Sequence, residues 1–424
     1  MTAAGQAKAA GIAVVDPTHL ENGGHHLTSL ELLQRALHPH RTTFFIERHS
    51  SPQVLDVLDD VRFEFATGQH RLTVQRAKRK ANIARWRVSQ TVRLLSGKPA
   101  DVLDGSCYVQ DLLRVIDMYG PSDHLILPTA RADVLCSLLT AAARRPAAHL
   151  PHMHVRLLEF ASPPDRELAN SGFRGLANFA DGFERLKVYT ETETLRRHLA
   201  ERFGFKEIGS AILQPPAAEK RPATDKISIG YLGGRLRRDK GYHRLPDIVG
   251  RTERKIAGTA FQDKVWFVVQ LQKDDTSSAL REELLAVPGV SPDRFRFVDE
   301  VVDMEGFSAL IAGCDVVILP YETEKNELVI GSGIVIDAVI NGVPVVCAPV
   351  NGLMEFVSAD AGIVAGSDEA FADAIVKIVS DIGTYKAGAA RASTQLADAW
   401  RTNDLVMNVR CDLDAAQTRL ETLE

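Results

Sequence analysis

The sequence predicts an α/β protein built on two parallel sheets, and three observations carry that prediction. Short β-branched runs alternate with longer helical patterns along all 424 residues, as in consecutive βαβ units. Near the middle, the stretch 214–225 holds prolines at 215, 216 and 222 among mixed charges, which excludes a regular element and marks a linker. Each half opens with an apolar strand and a glycine turn, Gly23-Gly24 in the first and Gly233-Gly234 in the second. Two Rossmann-like sheets facing a central cleft follow from this, with ligands expected beyond the carboxyl ends of the strands.

In the first half, buried strands are expected at Ile12–Val15, Thr42–Ile46, His124–Leu127, His154–Leu158 and Leu186–Tyr189. The second half repeats the pattern at Ile227–Tyr231, Val265–Val269, Arg296–Val298, Val316–Leu319 and Pro344–Cys347. From Phe371 to Glu424 the chain is rich in Ala, Leu and charge without strand signals, and reads as two or three helices. The expected domains are 1–216, 226–400 and a final helix within 401–424 that packs across the junction. No short-period repeat is visible, which argues against a solenoid.

Composition narrows the function. Apolar residues at 45% and charged residues at 25% suit a globular enzyme and exclude a disordered chain. A net charge of -5 argues against a general nucleic-acid binder, since proteins that track phosphates carry a basic field. The cysteines (Cys107, Cys136, Cys314, Cys347, Cys411) are odd in number and mostly set in apolar runs, so buried thiols in a reducing compartment are expected. No apolar run is long enough to span a membrane; even Gly333–Val350 is broken by Asp337 and Asn341. The amino-terminal stretch lacks the order of a signal peptide, and a cytoplasmic location is expected.

The strongest chemical signal is the stretch from Ile229 to Gly241, IGYLGGRLRRDKG. An apolar strand feeds a glycine turn at Gly233-Gly234, and two cations five residues apart, Arg235 and Lys240, flank that turn. Arg supplies a forked donor and Lys a mobile point charge, a combination that suits a diphosphate. Taken alone, the segment also reads as a basic surface loop, the role assigned to Arg237, Arg238 and Arg244.

A second signal runs from Cys314 to Val346. A buried strand ends at Pro320, a polar loop follows, and a short helix is expected from about Gly333 to Asn341, capped by Ser332 and closed by Gly342. Its free amides at Gly331, Ser332, Gly333 and Ile334 can receive an anion. Asp337 lies one turn further in, among apolar neighbours, where a carboxylate can accept from a ribose diol; the plainer reading is that it complements the helix dipole.

These two segments resemble the donor-binding domain of the retaining GT-B glycosyltransferases related to sucrose synthase, glycogen synthase and the phosphatidylinositol mannosyltransferases. Gly234-Arg-Leu with Lys240-Gly, and Asp337-Ala with Gly342-x-Pro-Val-Val346, carry the resemblance over roughly residues 227–355. It implies a nucleotide-sugar donor whose diphosphate meets Arg235 and Lys240 and whose ribose meets Asp337. It also implies metal-independent transfer with retention of configuration and no cofactor. The family commonly places two glutamates eight positions apart; here the later is Asp337 and the earlier falls on Val329, with Glu322, Glu324 or Glu327 as substitutes from the same loop.

In the first half, the loop after the first strand holds Gly23, Gly24 and His25, which in such a family close over the donor and admit the acceptor; an ordinary glycine turn is the alternative. His154 is the histidine expected near the transferred sugar. His152, His154 and Arg156 share one face of an extended segment, but a zinc site needs a third ligand and none lies adjacent in sequence. Asp412-Leu-Asp414 imitates a metal-binding carboxylate pair from a late helix and is discounted. Arg71–Lys98 contains nine cations and no acidic residue, interleaved with Trp86 and aliphatics. It reads either as a solvated helix or as peripheral contact with an anionic membrane, which would favour a lipid-linked or polysaccharide acceptor. Two rival functions stand beside the transferase: a non-hydrolysing nucleotide-sugar epimerase, and a catalytically silent binding subunit suggested by Val329.

Overall fold

The structure is a computed structural model and describes residues 10–17, 24–48, 50–65, 108–158, 166–219, 225–233, 236–272, 274–300, 302–323, 331–401 and 403–421. The basic stretch Arg71–Lys98, Cys107, Gly23, Gly234, Arg235, Glu324, Glu327 and Val329 lie outside these residues.

The first sheet holds β1 (Ile12–Asp16), β2 (Thr42–Glu47), β3 (Val61–Phe65), β4 (His124–Leu127), β5 (His152–Leu157), β6 (Leu186–Thr190) and β7 (Gly209–Ser210). The second holds β8 (Ile227–Tyr231), β9 (Val265–Gln270), β10 (Phe295–Val298), β11 (Val316–Leu319), β12 (Val345–Cys347) and β13 (Gly362–Val364). Their orders are β3-β2-β1-β4-β5-β6-β7 and β10-β9-β8-β11-β12-β13, and every pairing is parallel. Both orders reverse beside their first strand, so the switch points fall between β1 and β4 and between β8 and β11.

Helices of the first half are α1 (Gly24–Leu37), α2 (Val109–Met118), α3 (Ala132–Ala142), α4 (Arg166–Gly182) and α5 (Glu193–Phe203). The second half has α6 (Leu245–Ile256), α7 (Asp275–Leu285), α8 (Met304–Ala312), α9 (Gly333–Ile340), α10 (Asn351–Met354), α11 (Asp368–Ser380), α12 (Ile382–Arg401) and α13 (Asp404–Glu421).

Strands buried on both faces explain the apolar runs. Along β1, Ala13 and Val15 enter one core while Ile12 and Val14 enter another. That second core is closed by α1 and by Leu405, Val409 and Leu413 of α13, so the last helix returns to cover the first sheet. Asn403, just before α13, donates to the Ile212 carbonyl at 3.0 Å, and Asp404 accepts from the Ser210 amide at 2.7 Å. A third core unites both faces of the second sheet.

Several expected boundaries shift for local reasons. The strand expected at His154–Leu158 begins at His152, because His152 pairs in register with His124. Pro344 stays outside β12, where its carbonyl accepts from the Val317 amide at 2.9 Å.

Candidate active site

The second sheet's switch point brings together the loops after β8 and β11. After β8, Gly233 takes φ +149°, its amide donates to Gln270 Oε1 at 3.0 Å, and a Cβ would stand 2.8 Å from the Ile334 side chain. Gly241 follows at φ +77°, where any Cβ would overlap the Pro320 carbonyl. Only glycine allows this backbone conformation and this approach together. The β8 loop is thereby laid against the loop after β11, and the Glu322 amide donates to the Asp239 carbonyl at 2.9 Å to hold them.

That contact sets Lys240 beside Tyr321, with Nζ 5.3 Å from the ring centroid. The Tyr321 hydroxyl in turn lies 2.8 Å from Ser332 Oγ. Lys240 and the opening of α9 are therefore linked through one buried aromatic ring. Ser332 occupies the N-cap position, but its hydroxyl serves Tyr321 rather than the helix amides, which corrects the expected side-chain cap.

The two small residues at the start of α9 have a further role that the sequence did not reveal. A Cβ on Gly331 would stand 3.0 Å from Thr192 Cγ2, and one on Gly333 would stand 3.2 Å from Gln214 Nε2. Both contacts come from the first half of the chain, so these glycines let α9 approach the segments after β6 and β7.

Asp337 is buried, and its Oδ1 has no hydrogen-bond partner among the described residues. Burial, reinforced by the charge of Glu191, pushes its carboxyl up to about 8. Glu191 itself is held by Arg156, whose guanidinium also donates to the carbonyls of Ala211 at 2.7 Å and Pro128 at 3.0 Å. Arg156, Glu191 and Gln214 were not singled out from sequence as site neighbours. Their charge or amide in buried positions is a signal, but the elements that bring them to Asp337 are far apart in the chain.

Glu322 faces Arg238 and His243, at 3.6 and 3.4 Å. Arg238, Glu322 and Arg244 border a cavity of about 390 Å³ at the carboxyl ends of β11, β12 and β13. In the first half, Gly24 opens α1, and His26 bonds Asp16 at the end of β1 through Nδ1 at 2.6 Å. The useful signal for that pair was a buried aspartate ending an apolar strand.

His154 lies elsewhere. It is fully buried within β5, bonding His124 at 3.0 Å and Tyr189 at 2.9 Å, and burial lowers its pKa well below the ordinary histidine value. The expectation that it touches a transferred sugar is corrected by this packing: the ring has no exposed surface to offer. Burial and the neighbouring His152 likewise push His124 down to about 4.

Two doubly wound parallel sheets, with the loops just described at the carboxyl ends of one, form the GT-B fold. HepE from Anabaena, solved with UDP-glucose, matches with a TM-score of 0.61 at 14% identity over 96% of this chain and 99% of that one. Sucrose-phosphate synthase from Thermosynechococcus elongatus matches at 0.59, with 12% identity over 98% and 100%. A glycosyltransferase from Rickettsia africae ESF-5 matches at 0.56, with 12% identity over 98% and 99%. No curated protein sequence matches the chain. Residues 227–381 match the family described as glycosyl transferases group 1, and the chain as a whole has the GT-B fold of these structures.

Proposed function

We propose that this protein is a glycosyltransferase that moves a sugar from a nucleotide-sugar donor to a glycan or lipid-linked acceptor, retaining anomeric configuration and using no catalytic metal. The observation that carries the reading is the meeting of Lys240, the α9 amino terminus and the buried Asp337 at one switch point. HepE, of the same fold, was solved with UDP-glucose.

In this reading the donor diphosphate rests on Lys240 and the amides of Gly331, Ser332, Gly333 and Ile334. Arg235, with Gly234 beside it, supplies the second cation. Breaking the glycosidic bond moves negative charge onto the departing diphosphate, and fixed donors stabilise that charge without reorganising. Asp337 receives the ribose: with a pKa near 8 it is protonated at neutral pH and can both donate to and accept from a diol. Residues 1–216, with Gly23 and Gly24, form the acceptor side, and 226–400 the donor side.

Replacing Lys240→Ala tests this directly. Transfer is expected to fall by at least about 100-fold, the scale of losing one charge-stabilising group. Unchanged transfer would remove the mechanism, and release of an isomerised free donor without acceptor would replace it with epimerisation.

A further inference from the structure

A second cluster stands at the amino-terminal ends of two central strands of the first sheet. His124 opens β4 and His152 opens β5, and the parallel register sets them side by side. Their ring centroids are 4.9 Å apart, tilted by 36°. Helix α13 adds Asp412, whose Oδ2 lies 3.4 Å from Nδ1 of His152. One ligand atom from each of the three lies within 4.8 Å of the others.

We propose that His124, His152 and Asp412 form a structural site for a divalent transition metal, best suited to zinc, that fastens α13 to the first sheet. Tetrahedral zinc with bonds of about 2.0–2.2 Å separates its ligand atoms by about 3.4 Å. The His152–Asp412 spacing already has that value, and no other pair of ligand atoms is more than 4.8 Å apart. Two imidazoles and one carboxylate favour zinc over magnesium or calcium, which take oxygen ligands.

Two further features support the assignment. Asp412 Oδ2 has no hydrogen-bond partner among the described residues, although it is buried at the atom level. The His124 ring is fixed by its bond to His154, which bonds Tyr189, which accepts from Asn408 Nδ2 of α13 at 3.1 Å. The bond to His154 takes Nδ1 of His124 and leaves Nε2 for the metal. Each hydrogen bond keeps a donor when His124 donates to His154 and His154 donates to Tyr189.

The His152 and Asp412 side chains are 25% and 35% exposed, which gives the ion an entry path and water the fourth position. Asp16 and Arg156 lie at the carboxyl-terminal ends of their strands, away from this cluster, so this metal takes no part in transfer.

The test uses the full chain, stripped with a chelator and titrated with Zn²⁺ by calorimetry and with Co²⁺ by absorption spectroscopy. One Zn²⁺ per chain, a tetrahedral Co²⁺ spectrum and a thermal midpoint raised by several degrees are expected. Asp412→Asn and His152→Gln, both at partly exposed positions, are each expected to weaken Zn²⁺ at least about tenfold with sugar transfer unchanged. Cys411→Ser, at the adjacent exposed thiol, is expected to keep the affinity. Failure of the unaltered chain to take up one ion overturns the proposal, as does uptake that survives both ligand variants or depends on Cys411.

Discussion

Asp337 shows what burial does to a single carboxyl. Its pKa of about 8 exceeds the 3.8 of an ordinary aspartate, so between these values the folded chain binds more protons than the unfolded one. Stability from this group is therefore present at low pH and is lost as pH rises towards about 8. Asp337→Asn removes that dependence. Thermal unfolding without ligand is expected to show the variant gaining on the parent as pH is raised from about 4 to about 8, with the advantage then levelling off. A difference that stays flat across that range would contradict a raised pKa. Lys240 and Asp337 could be singled out because each sits in a short local pattern. Glu191 and Gln214 could not, since only the folded chain brings the ends of β6 and β7 to α9. His154 misled for the opposite reason: a histidine in an alternating strand faces either core or cleft, and the sequence does not say which.

At the scale of elements, most strands were readable because strands covered on both faces leave continuous apolar runs. The exceptions are instructive. In β3, Arg62 and Glu64 alternate with Val61, Phe63 and Phe65, an edge-strand pattern weaker than the central runs. β7 and β13 have only two and three residues and are held by their neighbours' registers rather than by their own composition. Turns carry more of the design than length suggests. Gly241→Ala combines a left-handed backbone with overlap of the Pro320 carbonyl, and is expected to cost about 2 kcal/mol or more in denaturant unfolding. Because the same turn presents Lys240, donor affinity is expected to fall in parallel. Full stability in that variant would mean the two loops are free to separate.

At the scale of the whole molecule, the two halves are joined by more than the linker. Glu355, following α10, accepts from the Glu193 amide at 2.9 Å, the Thr194 amide at 2.9 Å and the Thr194 hydroxyl. A carboxylate from the second half thus sits on the amino terminus of α5 in the first. Glu355→Ala is expected to speed hydrogen exchange at those two amides by about 5- to 10-fold, corresponding to about 1 kcal/mol per lost bond, and to leave the central strands protected. Exchange rates unchanged at both amides would show that this junction is open in solution.

The return of α13 to the first sheet has a consequence for how the chain is made. Leu405, Val409 and Leu413 complete the packing over Ile12, Val14 and Phe44. A nascent polypeptide emerging from the ribosome exposes the earliest strand long before its covering helix exists. Until residues 404–421 have been synthesised, the first half keeps that greasy face uncovered, and a chain truncated before them is expected to aggregate more readily than the whole.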